Sequence, residues 1–147
     1  MIALDSNILL YAVDKSSARH GPARRFLEKT LSASEPVGLP WQVITGFLRI
    51  STNPRILRSP LTASEAVAQI QEWLDQPCVR ILVPTDRHWE ILATLIRQSG
   101  SVAGLIMDAH LAAIAQEYGA RLYSCDGDFA RFAGLNWRDP LKQGRGS

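Results

Sequence analysis

Apolar positions along this chain follow two rhythms, short unbroken runs and longer stretches with a helical repeat, and the two alternate from one end to the other. Short runs mark buried strands, whereas the longer repeat lays one apolar stripe along a helix. Ile2-Ala3-Leu4 opens the chain as a strand, and residues 6–12 begin a short helix with Asp5 or Ser6 as N-cap. Residues 22–31 form an amphipathic helix with Ala23, Phe26, Leu27 and Thr30 on one face and Pro22 at its start, where a missing N–H is tolerated. Residues 37–39 read as a strand. Trp41–Ser51 reads as a helix through Val43, Ile44, Phe47, Leu48 and Ile50, stopped by Asn53-Pro54-Arg55.

Thr62 and Glu65 have the spacing of a capping box, and Ala66, Val67, Ile70, Trp73 and Leu74 mark one face of the helix that runs from it to Gln76-Pro77. Residues 79–83 are a strand, Thr85 caps a helix through residue 96, and residues 100–104 form a loop. Residues 105–118 are helical, with Gly119 as the left-handed terminator. A strand at 121–125, a short helical turn at 126–132 and an edge strand at 135–138 complete the pattern. Strands alternating with helices predict an α/β domain with a mainly parallel sheet and helices on both faces. Residues 1–141 are read as this domain. Residues 142–147 are set apart as a small, polar, flexible tail, with Arg145-Gly146-Ser147 readable as an expression scar.

At 147 residues and 46% apolar content the chain has the material for one domain with a real core. It contains no apolar run long enough to cross a bilayer and lacks the features of a signal peptide, so a soluble, cytoplasmic protein is expected. Cys78 and Cys125 make no CxxC pair, and reduced, largely buried thiols are expected. The net charge of +2 excludes a strongly basic nucleic-acid coat. The cations are nevertheless 13 Arg against 3 Lys, a choice that permits an anionic substrate.

The candidate chemistry lies in three acids. Asp5 ends the first strand, Asp126 follows the run Leu122-Tyr123-Ser124-Cys125, and Asp108 leads an apolar helix, sharing a face with Leu111, Ala112 and Ala115. In open parallel sheets ligands bind beyond the carboxyl ends of the strands, where Asp5 and Asp126 both fall. Asn7 is available as an alternative cap, so Asp5 leans toward function, whereas capping the Gly127-Asp128-Phe129 turn serves Asp126 equally well. Clustered carboxylates need a cation or large pKa shifts, and no Lys or Arg flanks these positions closely. Oxygen-only ligands select Mg²⁺ or Mn²⁺ over zinc, which suits phosphodiester hydrolysis by activated water.

Three segments, Ile2-Ala3-Leu4-Asp5-Ser6-Asn7, Met107-Asp108-Ala109-His110-Leu111-Ala112-Ala113-Ile114-Ala115 and Ser124-Cys125-Asp126-Gly127-Asp128-Phe129, resemble the motifs of PIN-domain ribonucleases of the VapC toxin branch. Order, spacing and length agree over nearly the whole chain, to Leu141. The resemblance implies a PIN-like three-layer fold and an Mg²⁺-dependent endoribonuclease, with Mn²⁺ as substitute ion. It further implies a homodimer held inactive by a cognate antitoxin. Asp5, Asp108 and Asp126 would be the catalytic, metal-binding acids, with Asn7 and Ser124 orienting them. One departure stands out: the family places a Glu on the helix after the second strand, in a setting like Glu-Leu-Leu-Arg, where this chain has Gly46-Phe47-Leu48-Arg49. Metal should then bind more weakly, or lean on Asp128 and on substrate phosphates.

Arg49 is read as a phosphate clamp beside that gap. Arg19, His20, Arg24 and Arg25, and in a later loop Arg55 and Arg58, either track a nucleic-acid backbone or serve solubility. His20, His88 and His110 lack ligand spacing and are read as structural, and the four tryptophans as core or interface anchors. Two competing readings remain at this stage. Gly46 would suit a catalytically weakened domain that only binds RNA or antitoxin, and Asp5 alone would suit a phosphoryl acceptor, although no Lys is well placed near the last strand.

Overall fold

The structure, a computed structural model, describes residues 1–142, so that apart from Lys142 the expected tail lies outside the described residues. Five parallel strands, β1 (Ile2–Leu4), β2 (Val37–Pro40), β3 (Val79–Leu82), β4 (Arg121–Tyr123) and β5 (Trp137–Arg138), form one sheet in the order β3-β2-β1-β4-β5. The helices are α1 (Ser6–Val13), α2 (His20–Ser32), α3 (Trp41–Ser51), α4 (Ala63–Leu74), α5 (His88–Ser99) and α6 (Leu105–Glu117), with a short 3-10 helix at Gly127–Arg131.

The connections from β1 to β2 to β3 step one way along the sheet, and the return from β3 to β4 passes back over β2 and β1. Right-handed crossovers therefore put α1 to α4 on one face and α5 and α6 on the other. The packing agrees, since α1 touches α2 and α3, α3 touches α4, and α6 lies against α5, β4 and the 3-10 helix. Between β1 and β4 the chain leaves toward opposite faces, which makes their carboxyl ends the switch point of the sheet.

Phe47, Leu4, Ile8, Leu9 and Leu39 are fully buried, as are Phe129, Leu111, Ile114 and Leu122. Each such side chain contributes about 1.5–3 kcal/mol relative to exposure. Phe47 meets Trp73 edge-on at 5.0 Å, fastening α3 to α4. A side chain at Gly38 would run into Leu82, so glycine there lets β2 and β3 close together.

The capping box forms as the spacing predicts, with Thr62 and Glu65 exchanging bonds of 3.1 and 2.9 Å, and Gly119 is left-handed at φ +60. Other expectations are corrected. Val67 is 60% exposed, because the buried face of α4 runs through Ala66, Ile70 and Trp73 only. Thr85 does not cap α5 and instead donates to Glu117 on α6 at 2.7 Å. The helix α5 runs on to Ser99, and left-handed Gly100 ends it. The last turn of the predicted strand at 121–125 belongs to the site, as β4 stops at Tyr123.

Candidate metal centre

Strand register aligns Leu4 with Tyr123, so Asp5 and Ser124 emerge side by side at the switch point. Asp5 is the N-cap of α1, its Oδ1 accepting from the Ser6 amide at 2.7 Å, and Asn7 does not take that place. Its other oxygen accepts from the Ser124 hydroxyl at 2.7 Å. Ser124 is fully buried. Its Oγ also accepts from Asn7 Nδ2 at 3.0 Å and from the Asp126 amide at 3.1 Å, which uses the full capacity of a hydroxyl. Asn7 Oδ1 receives the Cys125 amide at 3.3 Å, and Trp137 Nε1 donates to the Ser124 carbonyl at 3.0 Å. Asn7 and Ser124 thus tie the two diverging strands together beneath the acids.

Asp126 caps the 3-10 helix by accepting from the Asp128 amide at 2.9 Å, while Asp108 sits in the first turn of α6. Carboxylate oxygens of Asp108, Asp126 and Asp128 all lie within 4.8 Å of one another. The tightest trio is therefore not Asp5, Asp108 and Asp126; Asp128, predicted only as support, stands in it, and Asp5 lies outside that trio with hydrogen bonds on both oxygens. Burial, then the charges of Asp126, Asp5 and Asp128, push Asp108 up to about 6, with Arg131 opposing. Asp5 is also raised, chiefly by burial and further by Asp126, against hydrogen bonds from Ser124 and Ser6. Four acids accordingly share one negative field. Mg²⁺ sits about 2.0–2.1 Å from its oxygens, so ligand oxygens stand up to about 4.2 Å apart, a spacing this trio reaches with small side-chain adjustments.

A cation does stand nearby, contrary to the sequence reading. Arg131 of the 3-10 helix reaches Asp128 at 3.3 Å, and the Asp128–Arg131 spacing was the signal for it. A Cβ at Gly46 would stand in ordinary contact with Ser6 Oγ at 3.6 Å, so position 46 faces the residue after Asp5. Arg49, one turn further along α3, is exposed and has no carboxylate within 4.0 Å among the described residues. The Cys125 thiol, next to Asp126, is pushed up to about 12 by burial and Asp139, with Arg19 opposing, and stays protonated. Away from the acids, His88 bridges Glu117 at 2.5 Å and His110 at 2.8 Å, joining α5 to α6 as the structural reading requires. Trp73 is a core anchor as read, but Trp41 and Trp89 are 52% and 73% exposed. A cleft of about 670 Å³ lined by Leu27, Leu31, Trp73, Arg24 and Glu72 lies between α2 and α4, and none of the four acids lines it.

A family model for the PIN domain matches residues 2–135. The chain belongs to the PIN-domain family. Among PIN-domain proteins it is 41% identical over 143 residues to Ribonuclease VapC33 of Mycobacterium tuberculosis, covering 97% of this chain and all of the relative. Ribonuclease VapC37 of the same organism is 40% identical over 140 residues, covering 95% and 97%. In fold, this PIN domain is similar to the structure of VapBC2 from Rickettsia felis bound to a DNA fragment from their promoter. The TM-score is 0.69 at 18% identity, over 94% of this chain and 98% of the other.

Proposed function

We propose that this PIN domain is a divalent-metal-dependent endoribonuclease, the toxin of a toxin–antitoxin pair. The observation that carries the reading is the cluster of Asp108, Asp126 and Asp128, with Asp5 behind it, at the sheet's switch point, in a chain about 40% identical to proteins named ribonucleases. Asp108, Asp126 and Asp128 would hold Mg²⁺ or Mn²⁺, with Asp5 completing the negative field. A hard divalent ion bound there supplies an acidified water and offsets charge on the reacting phosphate. The chain's own residues hold the geometry: Ser124 fixes Asp5, Asn7 fixes Ser124 and the Cys125 amide, and Asp126 orders the turn that presents Asp128. Arg131 pairs with Asp128 and sets a positive charge beside the acids.

An antitoxin partner is proposed because a similar fold occurs in a structure titled as the VapBC2 pair, and a homodimer and a cytoplasmic location complete the reading. No helix among the described residues is long and apolar enough to cross a membrane. The test is cleavage of bacterial total RNA by purified protein with Mg²⁺ or Mn²⁺, beside Asp126→Asn and Asp108→Asn prepared identically. Each variant should lose roughly 100-fold or more in rate while keeping its circular dichroism spectrum. Wild-type rates in Asp126→Asn would defeat the proposal. The glycine at position 46 favours one alternative, a binding module, which would retain RNA affinity without divalent-dependent turnover.

A further inference from the structure

The acidic edge repels the polyanion it is proposed to cut, so a cation must hold the strand beside it. Arg131 is already engaged by Asp128. Arg19 is exposed, and no carboxylate lies within 4.0 Å of it among the described residues. Its guanidinium carbon lies 5.3 Å from the centre of the Tyr11 ring. Tyr11 is one helical turn beyond Asn7 on α1, on the face that carries Asn7 to Asp5 and Ser124.

The loop that carries Arg19 is braced. Asp14 takes the Ser16 hydroxyl at 2.6 Å, Ser17 Oγ accepts the Arg19 amide at 3.1 Å, and His20 Nδ1 donates to the Tyr11 carbonyl at 3.0 Å. Lying over the face of Tyr11 within cation–π range, the exposed guanidinium has no carboxylate partner and its N–H groups can donate to an incoming anion. A phosphate diester offers two acceptor oxygens, a match an ammonium does not reproduce.

We propose that Arg19, oriented by the face of Tyr11, is the positioning residue that binds a backbone phosphate of the RNA strand next to the acidic centre. The inference rests on the ribonuclease reading and adds to it a residue outside the acid cluster.

The probe is a short single-stranded RNA of randomised sequence labelled with fluorescein, followed by anisotropy at several salt concentrations, with cleavage kinetics on unlabelled RNA. Arg19→Gln should weaken RNA binding about tenfold or more and lower the salt-dependence slope by about 0.7, the loss of one phosphate contact on a single strand. It should raise KM with kcat nearly unchanged. Arg19→Lys should recover the salt slope but only part of the affinity, Tyr11→Leu should fall between, and Tyr11→Phe should match wild type. Arg24→Gln, whose arginine is paired with Glu28 at 3.0 Å, serves as the control and should change neither quantity. If Arg19→Gln keeps wild-type affinity and slope, the assignment is overturned while the nuclease reading stands. If the wild type binds RNA without cutting it and Arg19→Gln loses that binding, the assignment holds and the nuclease reading falls. An Arg19→Gln defect confined to binding of a protein partner overturns it as well.

Discussion

Asp108 carries the clearest consequence for a single residue. Its carboxyl is raised from 3.8 to about 6, first by burial and then by Asp126, Asp5 and Asp128. Below about 3.8 the folded and unfolded carboxyls are both protonated. As pH rises from about 3.8 to about 6 the folded state is progressively disfavoured, since it holds on to a proton that the unfolded chain releases, and above about 6 the penalty is complete. In metal-free protein Asp108→Asn should therefore raise the melting temperature by a few degrees at pH 7, with the gain vanishing near pH 4. Calorimetry in a chelator checks this, and equal melting temperatures at pH 7 would contradict it. The same proton competes with a bound ion, so Mn²⁺ affinity of the wild type should weaken as pH falls below about 6.

Among elements, α3 carries the glycine that stands where the resemblance implies a Glu, and the outcome there is simplest to measure. Gly46 lies in the middle of a helix, with a built Cβ in ordinary contact with Ser6 at 3.6 and 3.8 Å. Gly46→Ala should therefore stabilise the fold by about 0.5–1 kcal/mol, read from urea denaturation. Gly46→Glu sends a carboxylate toward the acidic edge and should tighten Mn²⁺ binding several-fold by titration calorimetry; unchanged affinity would show that position 46 does not serve the ion. Most elements were legible because periodicity and caps are local. The helix α3 ends where the sequence placed it, and the Thr62 capping box was read from four residues. The exposure of Val67 and the diversion of Thr85 to Glu117 were not legible, because both depend on which neighbours tertiary packing supplies. Likewise Asp5, Asp108 and Asp126 announced themselves by position along the chain. The promotion of Asp128 depends on the turn that Asp126 caps, a geometry no residue count contains.

At the scale of the whole molecule two sets of titrating groups on opposite sides of α6 pull stability in opposite directions. His110 is held below its ordinary value by burial and then by His88, and Glu117 is held below its own by hydrogen bonds from His88 and Thr85 that outweigh burial. The stability these two confer is complete above their unfolded values, about 6.5 and 4.5, and is lost as pH falls through their folded ones. The acidic cluster works the other way over an overlapping range. Asp108→Asn removes one opposing contribution, so metal-free Asp108→Asn should lose stability more steeply than wild type between pH 6.5 and 4 in urea titrations. His88→Ala, which leaves Glu117 without its ring partner and with no solvent exposure of its side chain, should cost about 1–3 kcal/mol at pH 7.

The loop at residues 100–104, entered through left-handed Gly100, divides the chain so that Asp5 lies on one side and Asp108, Asp126 and Asp128 on the other. Severed there, the protein becomes two halves of which neither owns the full complement of acids, and β4 can find its place only by adding itself alongside β1. A pair of fragments brought together by an inducible tether would then behave as a conditional enzyme, silent when apart and assembled on demand.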